Sequence, residues 1–464
     1  MIECARLADR PEARRRIHDL SVRALQRTGN GLNLTQADLS GLDLAGFDLR
    51  HAIFNRASLY GTSLVRADLT GASMVCAGLE RTNFTDAVLR GAYVHALAGQ
   101  ASNFTRADLS GLVDATGALF HGCNLTGARL DDAELAGTTF YQCNLVEAHA
   151  LGTDLHGAVF NECRLDQANF SRARLDNAVI LRSSVREMVL DNARGQGLVL
   201  TRPSAADGLH LAHAHLPRLR LDQVHARGLV GAHLHAPAID VQGCQLPGAD
   251  LSYSDVSRGR WDHVSVDRAN LTGAMLADSS WSGVTAIEAN ATNATGEGLT
   301  ATGCTFSQAV FTGFAGRYAT FRNCNFRGAD LRDAYLYRAS FIGDPPASAC
   351  LVKAQLDGAN LTQAYLAADF TGASIRHAWA TYARVNQSTF KDTDLSGTSL
   401  FRASAVKTEF TGARLAGQRG AILADRCPGL LQSLRAAGDP NSERVAELVE
   451  ELTELLARDP GKST

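Results

Sequence analysis

Large apolar residues recur at every fifth position along most of the chain, with small residues two positions before most of them. The pattern is most regular between Phe120 and Phe170, where residue types also recur at steps of 20. The matched positions are Phe120, Phe140 and Phe160, together with Cys123, Cys143 and Cys163. A period of five fits neither a helix nor a strand, so it indicates a repeat architecture.

The two nested periods predict the path of the backbone. If every fifth side chain points inward, the chain turns a corner every five residues, and four corners close one coil before the next coil stacks on it. Stacked coils pair their backbone groups at the ordinary strand spacing of about 4.8 Å. The sequence therefore predicts a square β-solenoid with Leu or Phe on the axis and Ala, Cys, Ser or Thr beside it.

The triplets that carry the pattern have Ala, then Asp or Asn, then Leu or Phe. They are Ala37-Asp38-Leu39, Ala67-Asp68-Leu69, Ala107-Asp108-Leu109, Ala168-Asn169-Phe170, Ala249-Asp250-Leu251, Ala269-Asn270-Leu271, Ala329-Asp330-Leu331 and Ala359-Asn360-Leu361. These triplets resemble the pentapeptide-repeat family, whose consensus is A(D/N)LXX. The resemblance covers residues 32–416. It implies an all-β solenoid, a right-handed quadrilateral β-helix of pentapeptide repeats.

The limits of the pattern divide the chain into three segments. Residues 1–31 are expected to form an N-terminal helical cap, with a helix at 11–27, over the open strand edge of the first coil. Residues 32–416 form the β-helix, and residues 417–464 contain an amphipathic helix at about 440–458. We therefore expect a solenoid flanked by short N- and C-terminal α-helices.

The inward position is expected to shift at several places. Shifts are predicted at 110–119, between Leu200 and Leu211, near Ala226 to Leu229, and between Leu366 and Phe370. The repeat is least regular around 110–119, 201–247, 284–303 and 343–348. Such irregularities commonly mark loops that carry function.

Residues 343–348 are a candidate interaction loop. Their sequence, GDPPAS, contains Asp344, Pro345 and Pro346, and the paired prolines cannot donate backbone hydrogen bonds. The segment forms either a protruding loop or a stiff corner kept within the register. The family resemblance favours attention to a loop, because members that act on topoisomerases often carry one.

The C-terminal helix supplies a second candidate surface. Its apolar stripe consists of Val445, Leu448, Val449, Leu452, Leu455 and Leu456. An isolated helix of this length cannot bury such a stripe by itself. It either closes the last coil or meets its copy in a homodimer, which makes Leu448, Leu452 and Leu455 candidate interaction residues.

Residues able to carry chemistry show no catalytic arrangement. The regularly spaced cysteines occupy the small inward position, where we expect reduced, buried thiols. Six histidines between His210 and His235 are surface residues, a metal site or a partner-binding face. No Gly-rich phosphate loop, Cys-x-x-Cys pair or nucleophile elbow is present. We therefore predict no enzymatic activity and no cofactor.

Charge and targeting signals limit the class of partner. Residues 32–416 carry a net charge of −4 with no basic stripe, so direct nucleic-acid binding is not expected. The N-terminus lacks the apolar core of a signal peptide, and no apolar run is long enough to span a membrane. We expect a cytoplasmic protein that does not bind membranes.

Two functions remain. The repeat would give about 19 coils and a rod on the order of 90 Å long, which suits a rigid protein-binding scaffold. The alternative comes from the family resemblance: some members mimic duplex DNA, bind type II topoisomerases such as DNA gyrase, and protect them from poisons. That function needs a strong negative field, because duplex DNA carries one charge per about 1.7 Å.

Overall fold

The computed structural model describes residues 31–343, 349–417, 422–425 and 427–458, and these form a parallel β-solenoid. The chain divides into two compact units, Met1–His225 and Ala226–Thr464. The predicted N-terminal cap at 1–31, with its helix at 11–27, lies almost wholly outside the described residues, so it stays a prediction.

Each repeat of five residues contributes two inward side chains and one corner. In the repeat around Phe54, Ala52 and Phe54 are fully buried, which defines a small and a large inward position. At the corner, the Ala57 N–H donates to the Phe54 carbonyl at 2.9 Å, and Arg56 has a φ of 58°. A positive φ in the third residue is what lets this turn close within four residues. The turn, rather than the side chains, sets the period of five.

Backbone hydrogen bonds between coils satisfy the remaining polar groups. The Leu59 N–H donates to the Gly78 carbonyl of the next coil at 2.9 Å, and the Ser58 N–H donates to the Ala37 carbonyl of the previous coil at 2.9 Å. The same pattern recurs around each coil, with 20 residues between paired positions such as Asp48 and Asp68. Because four repeats close each coil, every repeat lies above an equivalent one.

In most coils after residue 97, one side forms a short strand. In the first unit, strands β1 to β7 pair in parallel in chain order. Their bounds are β1 Ala98–Gln100, β2 Leu119–His121, β3 Thr139–Tyr141, β4 Val159–Asn161, β5 Val179–Leu181, β6 Val199–Thr201 and β7 Arg220–Asp222. The central residue of each strand is buried, and both neighbours face outward.

The second unit contains ten strands and two helices among its described residues. The strands are β8 Asp240–Gln242, β9 Arg260–Asp262, β10 Ser280–Ser282, β11 Thr300–Thr302, β12 Thr320–Arg322, β13 Ser340–Ile342, β14 Ala349–Cys350, β15 Tyr365–Asp369, β16 Ser404–Val406 and β17 Leu423–Asp425. The helices are α1 Leu430–Ala436 and α2 Pro440–Arg458. All strand pairs are parallel.

Aromatic side chains stack along the axis in the first unit. Phe120, Phe140 and Phe160 are buried, and their successive ring centroids lie 5.0 and 4.8 Å apart. The interplanar angles of 8° and 3° follow from the equivalent backbone positions in successive coils. The stack is a structural element of the core, because no part of it reaches the surface.

The cysteines beside this stack are also buried, and they replace alanine without leaving a polar group unsatisfied. Cys143 Sγ donates to the Phe120 carbonyl at 3.2 Å, and Cys163 Sγ donates to the Phe140 carbonyl at 3.4 Å. Thr62 makes the equivalent contact with the Leu39 carbonyl at 2.8 Å. Each donor lies 23 residues after its acceptor, so this contact is specific to stacked coils.

The register changes where residues are inserted or deleted. Insertions give 21-residue pairing at Ala98–Leu119 and at Val199–Arg220. A deletion gives 19-residue pairing at Tyr365–Arg384, where β15 continues from one side to the next without a turn. Asn325 pairs with Cys350, a step of 25, so the chain gains five residues around the predicted loop at 343–348. The loop residues 344–348 themselves lie outside the described part of the chain.

The shift expected near Ala226 to Leu229 is absent. Ala226 and Ala236 hold the large inward position at the regular five-residue step, while Leu229 and Leu234 hold the small one. The sequence-based prediction was wrong because it assumed that leucine always marks the large position. The interior here accepts the reverse order, because the combined volume of the two inward side chains stays similar.

In the stretch at 284–303, part of the interior space is filled by a large side chain of the next coil. Phe314 occupies a small position, and Gly296 and Gly316 hold the large positions around it. A Cβ on Gly316 would lie 2.5 Å from Phe314 Cε1, and one on Gly296 would collide with the same ring. The glycines therefore provide the space for the phenylalanine ring.

Both helices pack on the last coil of the second unit. Ser433 of α1 donates to the Phe410 carbonyl at 2.9 Å, and Ser442 of α2 donates to the Leu415 carbonyl at 2.8 Å. Val445 and Val449 are buried. The predicted homodimer is not needed to bury these two residues, and it stays a prediction.

Substitutions at neighbouring positions test the inward register. Ala168 is fully buried, whereas Asn169 is partly exposed and accepts the Ser171 N–H at 3.0 Å. Ala168→Arg should destabilise the fold by roughly 4 kcal/mol or more, because it buries an unpaired charge. Asn169→Arg should cost only about 1 kcal/mol for the lost hydrogen bond. Thermal unfolding measures both variants, and equal melting temperatures would contradict the register.

A glycine substitution tests the filling of the interior. We expect Gly296→Ala to cost about 1–3 kcal/mol, because the new methyl group overpacks against Phe314. Gly78→Ala is the matched control, since a Cβ on Gly78 meets nothing within 4 Å. Urea unfolding should therefore separate the two variants. A Gly296→Ala protein as stable as the control would show that the Phe314 ring is not confined.

Removal of α2 tests its capping role. A chain that ends at residue 439 should self-associate at micromolar concentration, because the truncation uncovers part of the strand edge and apolar surface of the last coil. Static light scattering compares it with the full-length protein. An unchanged mass for the truncated chain would argue against capping, and a two-fold mass for only the full-length protein would support the predicted homodimer.

Candidate functional site

The interaction residues predicted from the sequence are only partly described. Asp344, Pro345 and Pro346 lie outside the described residues. Leu448 is exposed on α2, and the side chains of Leu452 and Leu455 fall outside the described portion of that helix. A binding role for either set stays a prediction.

The histidine-rich segment has ordinary surface contacts. His235 Nδ1 lies 3.1 Å from Asp255 Oδ2, and the His233 ring stacks on Tyr253 with centroids 5.3 Å apart. Across the described residues, no group of His, Cys, Asp and Glu is arranged to hold a metal ion. Within the same residues, no helix has the length and apolar character that crossing a membrane requires.

A different surface collects exposed aromatic residues on one side of the second unit. It consists of the outward residues of five stacked repeats, paired through Ala315–Tyr335, Tyr335–Asn360, Asn360–Trp379 and Trp379–Ser399. We call this surface the aromatic–arginine face. Its aromatic members are Tyr318, Tyr335, Tyr337, Trp379, Tyr382 and Phe401, and its basic members are Arg317, Arg338 and Arg402. Trp379 is the most exposed of the aromatic residues, at 64%.

In the first two repeats of the face, two arginines hold the tyrosines in place. The Arg317 guanidinium lies over the rings of Tyr318 and Tyr337, with its Cζ 5.1 and 5.8 Å from the two centroids. The Arg338 guanidinium lies 5.2 Å from the centroid of Tyr337. Arg338 Nε and the Tyr337 hydroxyl both donate to Gln363 Oε1, at 2.5 and 3.1 Å. The contacts link three successive coils.

The far end of the face repeats this arrangement. The Arg402 guanidinium lies 5.3 Å from the Phe401 ring centroid and 5.8 Å from that of Tyr382. Arg402 Nη1 donates to the Tyr382 hydroxyl at 3.2 Å. The rings of Tyr382 and Phe401 meet edge to face at 6.0 Å. Cation–π contacts of this kind fix the orientation of long side chains that would otherwise be mobile.

The charge of the face is positive. Its fifteen outward residues include three arginines and no Asp or Glu. A hydrogen bond from Arg317 lowers the pKa of the Tyr318 hydroxyl below its ordinary value. At the adjoining corners, a hydrogen bond from Arg332 lowers the pKa of Asp330. Burial would raise that of Asp357, but bonds from Arg376 and Ser374 lower it. Asp330 and Asp357 are therefore charged and already paired.

One Asn–Thr row of the first unit satisfies its polar groups internally. In the first unit, Asn103 Nδ2 donates to Thr85 Oγ1 at 2.9 Å, and Asn124 Nδ2 donates to Thr105 Oγ1 at 3.0 Å. These uncharged rows have little unused hydrogen-bonding capacity. Tyr60 and Arg81 form an isolated pair of the same type as those of the face, with Arg81 Cζ 5.9 Å from the ring centroid.

The aromatic–arginine face has the composition of a binding surface. Tyr, Trp and Arg are the residues most enriched where protein interfaces concentrate their binding energy. Here they lie on five coils whose backbone is held by hydrogen bonds on both sides. Sequence reasoning missed this surface, although its signal is present: aromatic residues fill outward positions of successive repeats between 315 and 402.

Comparison with solved structures returns several partial similarities. HetL, a pentapeptide repeat protein involved in heterocyst differentiation regulation from the cyanobacterium Nostoc sp., is 22% identical over 56% of this chain and 92% of its own, with a TM-score of 0.22. Full-length QnrB1, a plasmid-mediated fluoroquinolone resistance protein, is 17% identical over 43% of this chain and 92% of its own, with a TM-score of 0.18. TM-scores this low carry no argument about function.

Comparison of the sequence with protein families is more direct. The family model for pentapeptide repeats matches in 8 copies. The matched residues are 33–71, 62–95, 116–149, 143–180, 317–343 and 368–404. No curated protein matches the sequence. The matches fall in both units, on repeats whose five-residue corners and stacked coils the structure displays. Both units of the chain therefore contain repeats of the pentapeptide-repeat family.

Proposed function

We propose that this chain is a non-enzymatic protein-binding scaffold whose partner docks on the aromatic–arginine face. The supporting observation is the cluster of six aromatic side chains and three arginines on five stacked coils. Exposed apolar patches of this kind on soluble proteins commonly mark interaction sites. Because the backbone and the ring orientations are already fixed, binding would lose little conformational entropy.

The alternative, a DNA-mimicking binder of type II topoisomerases such as DNA gyrase, has weaker support. It needs unpaired negative charge along one side of the coils. In the first unit, Asp48 pairs with Arg50 at 2.6 Å and Asp108 pairs with Arg90 at 2.5 Å. Such pairs interrupt an acidic stripe, and the aromatic–arginine face has the opposite sign. We therefore place this function second.

Truncation of the exposed rings tests the proposed function. Tyr335→Ala with Trp379→Ala should reduce retention of partner proteins by at least about tenfold, because each ring of an interface centre contributes about 1 kcal/mol or more. The matched control is Tyr60→Ala with Tyr93→Ala, which removes two exposed rings from the first unit. Immobilised full-length proteins are compared by quantitative mass spectrometry of the proteins that they retain from a cell extract.

The scaffold function predicts that retention of partner proteins depends on the aromatic–arginine face. Proteins retained by the wild type and the control, but lost from the Tyr335/Trp379 variant, would support the scaffold. An unchanged set of retained proteins would refute docking on this face. Purified DNA gyrase is tested in the same format, with supercoiling measured with and without a poison. Gyrase binding that is insensitive to the face variant would favour the topoisomerase function.

A further inference from the structure

We propose that the ligand of the aromatic–arginine face is an acidic, extended protein segment of about six residues that runs along the stacked coils. This inference rests on the proposed function and adds the chemistry of the partner. It commits to carboxylates as the charged groups that meet Arg338 and Arg402. The charge, the ring contacts and the length of the face support this ligand.

Charge complementarity is the first argument. The face has three arginines and no acidic residue among its fifteen outward positions. The carboxylates at its border are engaged elsewhere: Asp330 with Arg332 and Asp357 with Arg376, each pair at 2.6 Å. Glu297, on the coil before the face, offsets the charge of Arg317, whereas Arg338 and Arg402 donate to the Gln363 amide oxygen and the Tyr382 hydroxyl. An acidic segment would therefore meet the positive charge of Arg338 and Arg402. A basic segment would be repelled, and a neutral one would leave the arginines without a charged partner.

The orientation of the guanidinium groups is the second argument. Arg338 lies against Tyr337, and Arg402 lies against Phe401 and Tyr382. A guanidinium that stacks on a ring keeps N–H groups at its edge, and this edge matches a carboxylate in two parallel hydrogen bonds. Both arginines are exposed, so their edges are accessible. The rings thus orient the groups that would receive the carboxylates.

The same contacts disfavour single-stranded nucleic acid as the ligand. Base binding without sequence preference depends on aromatic faces that are free for stacking. Here arginines lie over four of the six rings, those of Tyr318, Tyr337, Tyr382 and Phe401. A base would have to compete with the guanidinium for those ring faces. A carboxylate would instead add to the existing contact.

The length of the segment follows from the coil spacing. The face spans four steps between its first and last coils, from Ala315 to Ser399. At about 4.8 Å per step this is about 19 Å, which six extended residues cover at about 3.3 Å each. Alternate side chains of an extended segment point to the same side. Three carboxylates can therefore face the protein, while the side chains between them point away from it.

The exposed tryptophan provides a direct readout. The chain has 3 tryptophans, and Trp261 and Trp281 are buried, with exposures of 1% and 3%. Acrylamide therefore quenches mainly Trp379, which lies on the fourth of the five repeats of the face. Protection of this residue from acrylamide reports a ligand on the face of the intact protein, without a label.

The experiment compares three probes on the full-length protein: the peptide Glu-Leu-Glu-Phe-Glu-Leu, its counterpart with Gln in place of each Glu, and oligothymidylate. We expect the acidic peptide to protect Trp379 with an affinity at least about tenfold higher than the Gln peptide at low salt, and to lose that advantage in high salt. Arg338→Glu with Arg402→Glu should weaken binding of the acidic peptide by at least about tenfold. The matched control, Arg56→Glu with Arg172→Glu, should not change it.

Every other result overturns the acidic ligand. Equal binding of the acidic and Gln peptides, persistence of acidic binding in the Arg338/Arg402 variant, or protection by no probe would each refute it. Protection by oligothymidylate alone would assign the face to single-stranded nucleic acid. These failures remain distinct from failure of the scaffold, because the latter is measured by loss of retained proteins in the Tyr335/Trp379 variant.

Discussion

The structure depends on the fixed and narrow volume inside each coil. Most repeats place one large and one small side chain inward, and the coils above and below allow little change in spacing. A large residue in a small position therefore requires a smaller one nearby, as Gly296 and Gly316 show around Phe314. Gly259 follows the same rule, because a Cβ there would lie 2.9 Å from Trp261 Nε1. What the fold conserves is the summed volume of neighbouring side chains rather than the residue at each position.

Stacking also explains which polar groups the interior accepts. A hydroxyl or thiol in the small position reaches a carbonyl of the previous coil, as Thr153 does with Leu130 at 2.9 Å. Without that acceptor, the same group would cost about 1–3 kcal/mol to bury. The helix α1 exploits the rule at the end of the solenoid, because Ser433 lies 23 residues after Phe410 and makes the contact that a further coil would make. A helix can therefore replace a coil where the repeat ends.

The sequence predicts the solenoid well, because the corners and the inward pairs repeat through most of its length. The prediction of register fails where a large residue takes the small inward position. Leu229 is an example, because a leucine there suggests a shift of register. The aromatic residues of the face could have been found by aligning outward positions. Their contacts could not, because Arg338 reaches Gln363 across a step of 25 residues, whereas Arg402 reaches Tyr382 across 20. Only the paired coils show that these residues are neighbours.

The composition of the aromatic–arginine face is not a requirement of the fold. In many repeats the residue before the large inward position is Asp or Asn, whose side chain accepts a backbone N–H two residues later, as Asp68 does for Thr70 at 3.0 Å. Tyr335 and Trp379 occupy this position and cannot accept that bond. They also expose apolar surface, which lowers solubility. On the aromatic–arginine face this loss recurs in two of five stacked repeats that also carry three arginines, and a ligand would account for the combination. The proposed binding therefore falls on the aromatic–arginine face rather than on the Asn and Thr row of the first unit.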